Sequence, residues 1–243
     1  MSAEYAGNSS ESIVERVMRE QAGARTLVSR HAGMVEVGPE LLPRHGADGI
    51  RSERLRALRT DLLLLTGEHR HCTQLALLSP GSGEGRSRLA AELALVFSQL
   101  GRHTLLVDAD LRRPTQHCLF NAPNDFGLAR ALVLEEAPKL YGVEGFPFLS
   151  VLPAGHASPN PLELLSGRRF EPLMRRLRQH YDFIVLDTPP VDLYADGLTV
   201  AAQAGNVLVL SRLAATSQRH LRHLIGRVAI AQARILGAVV SRF

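Results

Sequence analysis

The chain has 243 residues, 45% of them hydrophobic and 21% charged, which is enough for one α/β domain with a full core or for two small domains. Two isolated cysteines, Cys72 and Cys118, exclude a disulfide framework, and the net charge of +4 is modest although Lys139 is the single lysine among 28 basic residues. No apolar run approaches the roughly 18 residues that cross a bilayer, and the polar start is unlike a signal peptide, so we expect a cytoplasmic chain that reaches a membrane only through a partner.

Residues 1–48 are predicted to form an arm outside the main domain. Ser12–Gln21 can form a short helix with four apolar residues on one face, and glycine and proline then punctuate the chain up to His45–Gly49. A loosely docked arm is the favoured interpretation, with a membrane-surface helix as the alternative. The main domain is expected to span residues 49–243 and to begin with a helix over residues 50–65.

Strands and helices alternate through the rest of the chain. Strands are predicted at residues 75–78, 104–108, 148–152, 183–187, 206–211 and 235–240, and helices at 87–100, 127–134, 162–179, 196–203 and 217–232. This alternation predicts a three-layer α/β domain in which helices cover both faces of a mainly parallel, twisted sheet. Ligands of such sheets bind at the carboxyl ends of the strands.

The first of these strand ends, SPGSGEGRSR at Ser79–Arg88, has the composition of a phosphate-binding loop. Its three glycines would let successive backbone N–H groups face an anion, and the helix that follows adds its positive N-terminal end. Ser87 supplies the hydroxyl group that loops of this kind give to Mg²⁺. A glycine-rich turn that binds no ligand is the alternative, and the loop taken alone leaves both interpretations open.

Two acidic strand ends follow, LLVDADLRRP at Leu105–Pro114 and FIVLDTPPV at Phe183–Val191. Asp108 and Asp187 end buried strands that should lie near the loop, so both carboxylates can face a metal ion or its waters. Asp110 is close enough to be a second metal contact or a proton acceptor. A lone aspartate would more simply cap the following turn, but the two acidic ends together with the loop favour a metal–nucleotide site.

Together with SPNPLELLSG at Ser158–Gly167, these segments resemble the bacterial tyrosine kinases, the P-loop kinases of capsule and exopolysaccharide export, over residues 51–242. The resemblance implies a P-loop NTPase fold, ATP and Mg²⁺ as cofactors, and transfer of the γ-phosphoryl group of ATP to tyrosine. It also implies a membrane-embedded chain-length determinant, the activator protein, as partner at the inner face of the plasma membrane. It implies no nucleic-acid ligand.

The resemblance also implies roles for individual residues. Asp108 and Asp187 would order the metal ion with Ser87, and Asp110 would accept the proton of an incoming tyrosine hydroxyl. Arg112 would lie near the phosphates or a neighbouring subunit, with a surface ion pair as an equal alternative. The complete set expected to contact the nucleotide is Gly81, Ser82, Gly83, Glu84, Gly85, Arg86, Ser87, Arg88, Arg112 and Ser241.

The segment ERLRALR matches the family pattern E-x-x-R-x-x-R, and the resemblance implies that its charged residues make ring-forming contacts between copies of the chain. These residues are Glu53, Arg56 and Arg59. Without the resemblance, an ordinary surface ion pair between residues three apart on a helix is the simpler interpretation, worth about 0.2–0.5 kcal/mol.

The sequence departs from the family pattern at several positions. Arg86 stands at the lysine position of the loop, where a broad, planar guanidinium replaces a compact ammonium group. Loss of one charge-assisted contact in the transition state costs about 10²–10³ in rate. Arg88 replaces the usual threonine, Pro80 the opening glycine and Ser82 a proline, while Ser241 stands where an asparagine near the adenine is common. The tyrosine-rich tail of the family is missing.

Three hypotheses remain open. The chain can be a kinase component that binds MgATP and transfers phosphate slowly, or a pseudokinase that binds nucleotide weakly and acts as a ring-forming scaffold. A partitioning or septum-positioning ATPase shares the loop and the strand-end aspartates, but such proteins usually carry a second lysine early in the loop, where this chain has Ser79 and Pro80.

Two histidine pairs and one basic run are interpreted as solvent-exposed surface. The spacing of His69 and His71, and of His220 and His223, could suit a metal ion, but no pattern of carboxylate or cysteine partners accompanies them. The Arg/His run over residues 219–227 is accompanied by few aromatic residues, which favours a solvated helix face over a nucleic-acid site.

Overall fold

The computed structural model describes residues 31–41, 49–67 and 72–242. The helix expected at Ser12–Gln21 and the pair His69 and His71 lie outside the described residues. Among the described residues, no helix has the length and apolar content required to span a bilayer.

The strands of the described chain form one sheet. They are β1 (Gly33–Val35), β2 (Thr73–Leu78), β3 (Thr104–Asp108), β4 (Tyr141–Val143), β5 (Phe146–Leu152), β6 (Phe183–Asp187), β7 (Asn206–Arg212) and β8 (Arg234–Ser241). Their order across the sheet is β1-β4-β5-β3-β6-β2-β7-β8. The pair β4–β5 is antiparallel and the other neighbouring pairs are parallel. The prediction of a mainly parallel sheet is therefore confirmed.

Helices connect these strands. They are α1 (Ile50–Thr66), α2 (Arg86–Ser98), α3 (Gln116–Leu119), α4 (Leu128–Leu134), α5 (Pro161–Ser166), α6 (Phe170–Arg178), α7 (Asp196–Ala204) and α8 (Gln218–Ile230). Every residue of β3 and of β6 is buried. Because successive side chains of a strand point to opposite faces, both faces of the sheet centre are covered, as the long apolar runs of these strands predict.

The structure differs from the expected elements in several places, among them the short helix α3, where no helix was expected. The short strands β1 and β4 were not expected, because three residues that include a glycine carry no measurable alternation. The compact unit accordingly begins at His31, before the boundary expected at residue 49. The single helix expected over residues 162–179 is two helices, because Gly167 is extended (ψ 164°) and a Cβ there would lie 2.8 Å from the carbonyl oxygen of Glu163.

Strand register brings the functional segments to one edge of the sheet. Asp187 in β6 lies opposite Asp108 in β3 on one side and opposite Leu77 in β2 on the other. The two acidic strand ends and the glycine-rich loop that follows β2 therefore meet at the carboxyl edge, where ligands of parallel sheets bind.

We predict that the sheet centre dominates stability. Leu106→Ala in β3 removes a fully buried side chain and should lower the free energy of unfolding by about 2–5 kcal/mol. Leu64→Ala in α1 is the matched control, because Leu64 is 77% exposed and should change stability by less than about 0.5 kcal/mol. Urea unfolding measures both, and equal losses would contradict the assignment of the core.

Candidate active site

Backbone geometry of the loop between β2 and α2 explains its glycines. Gly83 and Gly85 have φ angles of +72° and +88°, a region that side-chain-bearing residues rarely adopt. Gly85 is the N-cap of α2 and supplies no side-chain hydrogen bond to the first turn. The first N–H groups of α2, together with the positive end of the helix dipole, can therefore receive an anion.

Glu84 ties this loop to two distant segments. Its Oε1 accepts hydrogen bonds from the backbone N–H of Gly81 (3.2 Å) and from the hydroxyl of Thr216 (2.8 Å). The hydroxyl of Ser241, at the end of β8, donates to the carbonyl oxygen of Glu84 at 3.1 Å. The loop is thus fixed to the connection after β7 and to the last strand, and Ser241 lies beside it.

The guanidinium of Arg86 lies inside the site. The side chain is 8% exposed, its Nη1 donates to the hydroxyl of Ser79, and its Nε lies 3.6 Å from Oδ1 of Asp187. That last separation is an ionic contact and too long for a hydrogen bond. Arg86 therefore spans from the start of the loop to the end of β6 and places its charge next to the buried carboxylate.

The two strand-end carboxylates have different partners. Asp108 accepts backbone N–H bonds from Asp110 (3.1 Å), Thr115 (3.0 Å) and Gln116 (2.9 Å), so it holds the turn into α3, as the capping alternative predicts. Burial and, next, the charge of Asp187 raise the pKa of Asp108, and the backbone bonds from Gln116 and Thr115 oppose this. The carboxylate of Asp108 therefore holds the backbone turn that leads into α3, close to Asp187.

Asp187 has one oxygen in a hydrogen bond and one without. Its Oδ2 accepts from the side-chain amide of Gln116 at 2.8 Å, whereas its Oδ1 is buried and has no hydrogen-bond partner among the described residues. Burial raises the pKa of Asp187, while the charge of Arg86 and then the hydroxyl of Ser87 lower it. The second oxygen accepts no hydrogen bond from the described part of the chain, and the cation that it faces is the guanidinium of Arg86.

These oxygen donors fit Mg²⁺. The ion binds proteins through one or two carboxylates and completes its shell with phosphate oxygens and water. The hydroxyl of Ser87, which lines a cleft at the loop, and Oδ1 of Asp187, which accepts no hydrogen bond from the residues described, are such donors. In the described ranges, no cluster of three or more His, Cys, Asp or Glu residues could hold a metal ion by itself, so the fit is to a metal shared with a nucleotide.

This cleft, of about 160 Å³, opens in front of the loop. Asp110 lies on its wall, and Oδ1 of Asp110 accepts the backbone N–H bonds of Arg112 (3.1 Å) and Arg113 (2.9 Å). Burial raises the pKa of Asp110, and these backbone bonds oppose the shift. The residues that line the cleft are Ser82, Gly83, Arg86, Ser87, Asp110, Arg113, Thr115, Pro190, Leu193 and Tyr194.

Sequence reasoning missed part of this wall and overlooked Gln116. Arg113 follows Arg112 in the run LRRP, and nothing in the sequence distinguishes which arginine faces the cleft. Gln116 donates from Nε2 to the carbonyl oxygen of Ser87 (2.9 Å) as well as to Asp187. A single glutamine at the start of a four-residue helix carries no motif that could have identified it.

Two arginines that were expected near the phosphates form other contacts. Arg112 makes a two-pronged ion pair with the buried Asp196 (2.7 and 3.1 Å) and lies over the ring of Tyr194, so the ion-pair alternative describes it. Arg88 bonds Glu92 at 3.1 Å and the carbonyl oxygen of Glu40 at 2.5 Å. Its charge is directed to α2 and to the segment before α1, away from the lining of the cleft.

The three charged residues of the E-x-x-R-x-x-R segment in α1 also form contacts within the chain. Arg56 pairs with Glu53 three residues earlier on the exposed face of the helix, as the surface alternative predicts. Arg59 instead donates to the carbonyl oxygen of Val96 at 2.8 Å, inside the same chain. Only Glu53 and Arg56 of the three therefore present charge outward.

A carboxylate does accompany the histidine pair of α8. His220 lies 3.1 Å and His223 3.7 Å from the oxygens of Asp192. The expectation of no such partner is therefore corrected, because Asp192 lies on the loop after β6 and is close only in the fold. Both histidines remain exposed, as the sequence predicts.

Comparison with known proteins identifies the family. The chain is 34% identical over 194 residues to tyrosine-protein kinase YwqD of Bacillus subtilis, which covers 79% of this chain and 81% of the relative. The chain belongs to the bacterial tyrosine kinase family. It is also 31% identical to tyrosine-protein kinase etk of Escherichia coli K12, although this match spans only 26% of that longer protein. No protein-family model matches the chain.

Solved structures of bacterial tyrosine kinases have the same fold. The chimerical protein CapA2B2 superposes with a TM-score of 0.78 at 28% identity, covering 92% of this chain and 99% of that one. The kinase domain of Escherichia coli ETK gives 0.77 at 29% identity, covering 84% and 80%. A septum site-determining protein MinD from Pyrococcus horikoshii shares the P-loop fold alone, with a TM-score of 0.61 at 19% identity. The predicted P-loop fold and family are confirmed.

We predict that substitution of Arg112 lowers stability, whereas substitution of the adjacent Arg113 lowers the affinity for nucleotide. Arg112→Ala leaves the carboxylate of Asp196 buried without its partner and should cost about 3 kcal/mol of stability, with unchanged affinity for ADP. Arg113→Ala, on the cleft wall, should leave stability unchanged and weaken ADP binding by about tenfold, because a charge-assisted contact is lost. Urea unfolding and calorimetric titration measure the two effects, and the reverse pattern would show that Arg112 is the phosphate ligand.

Proposed function

We propose that this bacterial tyrosine kinase family member is the cytoplasmic, ATP-binding component of a capsule or exopolysaccharide export system and that it transfers phosphate to tyrosine slowly. The observation that carries the proposal is the meeting of the glycine-rich loop, Ser87 and Asp110 around one cleft, where Arg86 is in ionic contact with the buried Asp187. YwqD and etk are themselves named tyrosine-protein kinases, which supports the reaction type.

The nucleotide phosphates would lie against the loop and the start of α2, where backbone N–H groups and the helix dipole stabilise negative charge. Bound Mg²⁺, held by the hydroxyl of Ser87 and by Oδ1 of Asp187, would neutralise charge that develops on the phosphates. Asp110 on the cleft wall would hold the proton of the incoming tyrosine hydroxyl. Because burial raises its pKa, Asp110 accepts a proton more readily than an ordinary aspartate does.

The base of the nucleotide would occupy a second cavity of about 740 Å³ that begins at Gly85 and Ser241. Its walls are mainly apolar, as binding sites for planar heterocycles are. They come from α1, the start of α2 and the strands β7 and β8, through Leu55, Leu58, Leu89, Leu210, Leu213 and Val239. Gly85 belongs to the phosphate loop and Ser241 bonds the carbonyl oxygen of Glu84, so the cavity adjoins the loop.

Arg86 supports the slow rate and a second candidate function, that of a scaffold without transferase activity. Its guanidinium is engaged by Ser79 and Asp187, so moving it onto a γ-phosphate would break two existing contacts. Nucleotide binding through the loop amides would remain in either case. The difference between the two functions is whether any phosphoryl group reaches tyrosine.

Incubation with labelled ATP separates these functions. We expect weak labelling of tyrosine by the unaltered protein and an increase of about 10²–10³ in Arg86→Lys, because a compact ammonium restores the transition-state contact. Asp110→Asn in the Arg86→Lys background is the control and should abolish the gain. Label in Arg86→Lys alone would support the scaffold, and no label in either protein would reject the kinase.

Thermal unfolding tests nucleotide binding separately from transfer. MgATP at a hundredfold excess over its Kd should stabilise the fold by about 2.7 kcal/mol. No shift of Tm at millimolar MgATP would exclude both the kinase and the nucleotide-binding scaffold.

We further propose that the chain assembles into a homo-oligomeric ring and works with a membrane-embedded chain-length determinant at the inner face of the plasma membrane. The outward charges of Glu53 and Arg56 on α1 support contacts between copies. Arg56→Glu should reduce the oligomer to monomers, while Arg175→Glu, which breaks an equally exposed pair with Glu171 on α6, should leave it intact. Light scattering of both variants decides, and an unchanged mass for Arg56→Glu would remove α1 from the interface.

A further inference from the structure

Gln116, the first residue of α3, is a fully buried amide at the centre of the site. Its Nε2 donates to the carbonyl oxygen of Ser87 at 2.9 Å and to Oδ2 of Asp187 at 2.8 Å. Both partners are acceptors at these contacts, which fixes the orientation of the amide, because the reverse orientation would place Oε1 against two oxygens. The residue therefore joins the end of β6 to the beginning of α2.

The backbone of the same residue joins a third element. The N–H of Gln116 donates to Oδ2 of Asp108 at 2.9 Å, at the end of β3. One residue thus contacts both strand-end carboxylates and Ser87, which lines the cleft. No other described residue that bonds Asp108 also bonds Asp187 through the contacts observed here.

Stability alone does not account for this amide. Its Oε1 is buried and has no hydrogen-bond partner among the described residues. An unsatisfied buried acceptor typically costs about 1–3 kcal/mol, which offsets what the two Nε2 bonds contribute. Gln74 has an Oε1 in the same condition, so it is the two Nε2 contacts of Gln116 within the site that call for a functional explanation.

The geometry around Asp187 supplies that explanation. With Oδ2 held by Gln116, the carboxylate cannot rotate freely, and Oδ1 is the oxygen left facing Arg86 at 3.6 Å without a hydrogen bond. The bond to the carbonyl oxygen of Ser87 fixes the first turn of α2, from which the Ser87 hydroxyl projects. Gln116 therefore fixes the orientation of the Asp187 carboxylate and the backbone that carries the Ser87 hydroxyl.

We propose that Gln116 is a positioning residue that holds Asp187 Oδ1 and the Ser87 hydroxyl in place for the magnesium ion of a bound nucleotide. This inference rests on the proposed nucleotide-binding function. A residue behind a metal ligand typically changes metal affinity by about 10–100-fold when it is removed. If Gln116 had only a structural role, its removal would instead weaken nucleotide binding equally with and without the metal.

The test compares Gln116→Met with Gln74→Met. Methionine has a similar length and fills irregular space, so the packing is retained while the hydrogen bonds are lost. Gln74 is the matched control, because it is also a buried amide but lies near the opposite end of β2 from the loop. Calorimetry measures the affinity for ADP in EDTA and then with increasing Mg²⁺.

We expect Gln116→Met to weaken Mg²⁺ binding to the ADP complex by about 10–100-fold while leaving the affinity for metal-free ADP unchanged. Gln74→Met should match the unaltered protein in both measurements. Equal weakening with and without Mg²⁺, or an unchanged affinity for Mg²⁺, would overturn the proposal. Gln116→Asn is a second variant, since its amide is one methylene shorter and cannot reach both acceptors, and its Tm verifies folding.

A nucleotide-free measurement separates this inference from the proposed function. If the unaltered protein binds neither ADP nor MgADP, the proposed function fails. Crystal structures without nucleotide then show whether the Asp187 carboxylate has rotated. Rotation in Gln116→Met but not in Gln74→Met supports the positioning role, and an unrotated carboxylate in Gln116→Met refutes it.

Discussion

A wholly buried carboxylate, that of Asp187, stands where β2, β3 and β6 end, and the site is organised around its charge. Placing an ionised carboxylate in a protein interior is unfavourable unless cations or hydrogen-bond donors compensate it. Here the compensation comes from three directions, through the guanidinium of Arg86, the amide of Gln116 and the hydroxyl of Ser87. The neighbouring charge of Asp108 increases the need for it. A cation near the carboxylates of Asp108 and Asp187 would therefore be stabilised by their negative charge.

The same logic applies to other buried acids of this domain. Two other acids that are completely buried, Glu92 and Asp196, are each held by guanidinium groups. Arg88 and Arg51 share Glu92 and so connect α2 with α1, while Arg112 reaches Asp196 at the start of α7. A planar group with several donors can satisfy both oxygens of a carboxylate at once. The departure at Arg88 is therefore matched by a buried acid on the same helix.

Sequence patterns predicted the sheet well and the side-chain partners poorly, for a physical reason. The central strands are continuous apolar runs that end at polar residues, and parallel topology then brings Asp108 and Asp187 together. The partners of Arg112 and Gln116 lie 84 and 71 residues away in the chain. No local periodicity encodes which of two adjacent arginines turns toward the cleft. The short strands β1 and β4 were not predicted, because they are defined by their pairing with each other rather than by their own composition.

The strand order has a consequence for how this domain is made in the cell. The loop emerges from the ribosome early, yet its strand β2 pairs only with β6 and β7, and Glu84 finds Thr216 and Ser241 a further 132 and 157 residues along the chain. Contacts between such distant segments are formed late and slowly. A nascent chain therefore lacks the contacts that fix its glycine-rich turn until Thr216 and Ser241 have been synthesised.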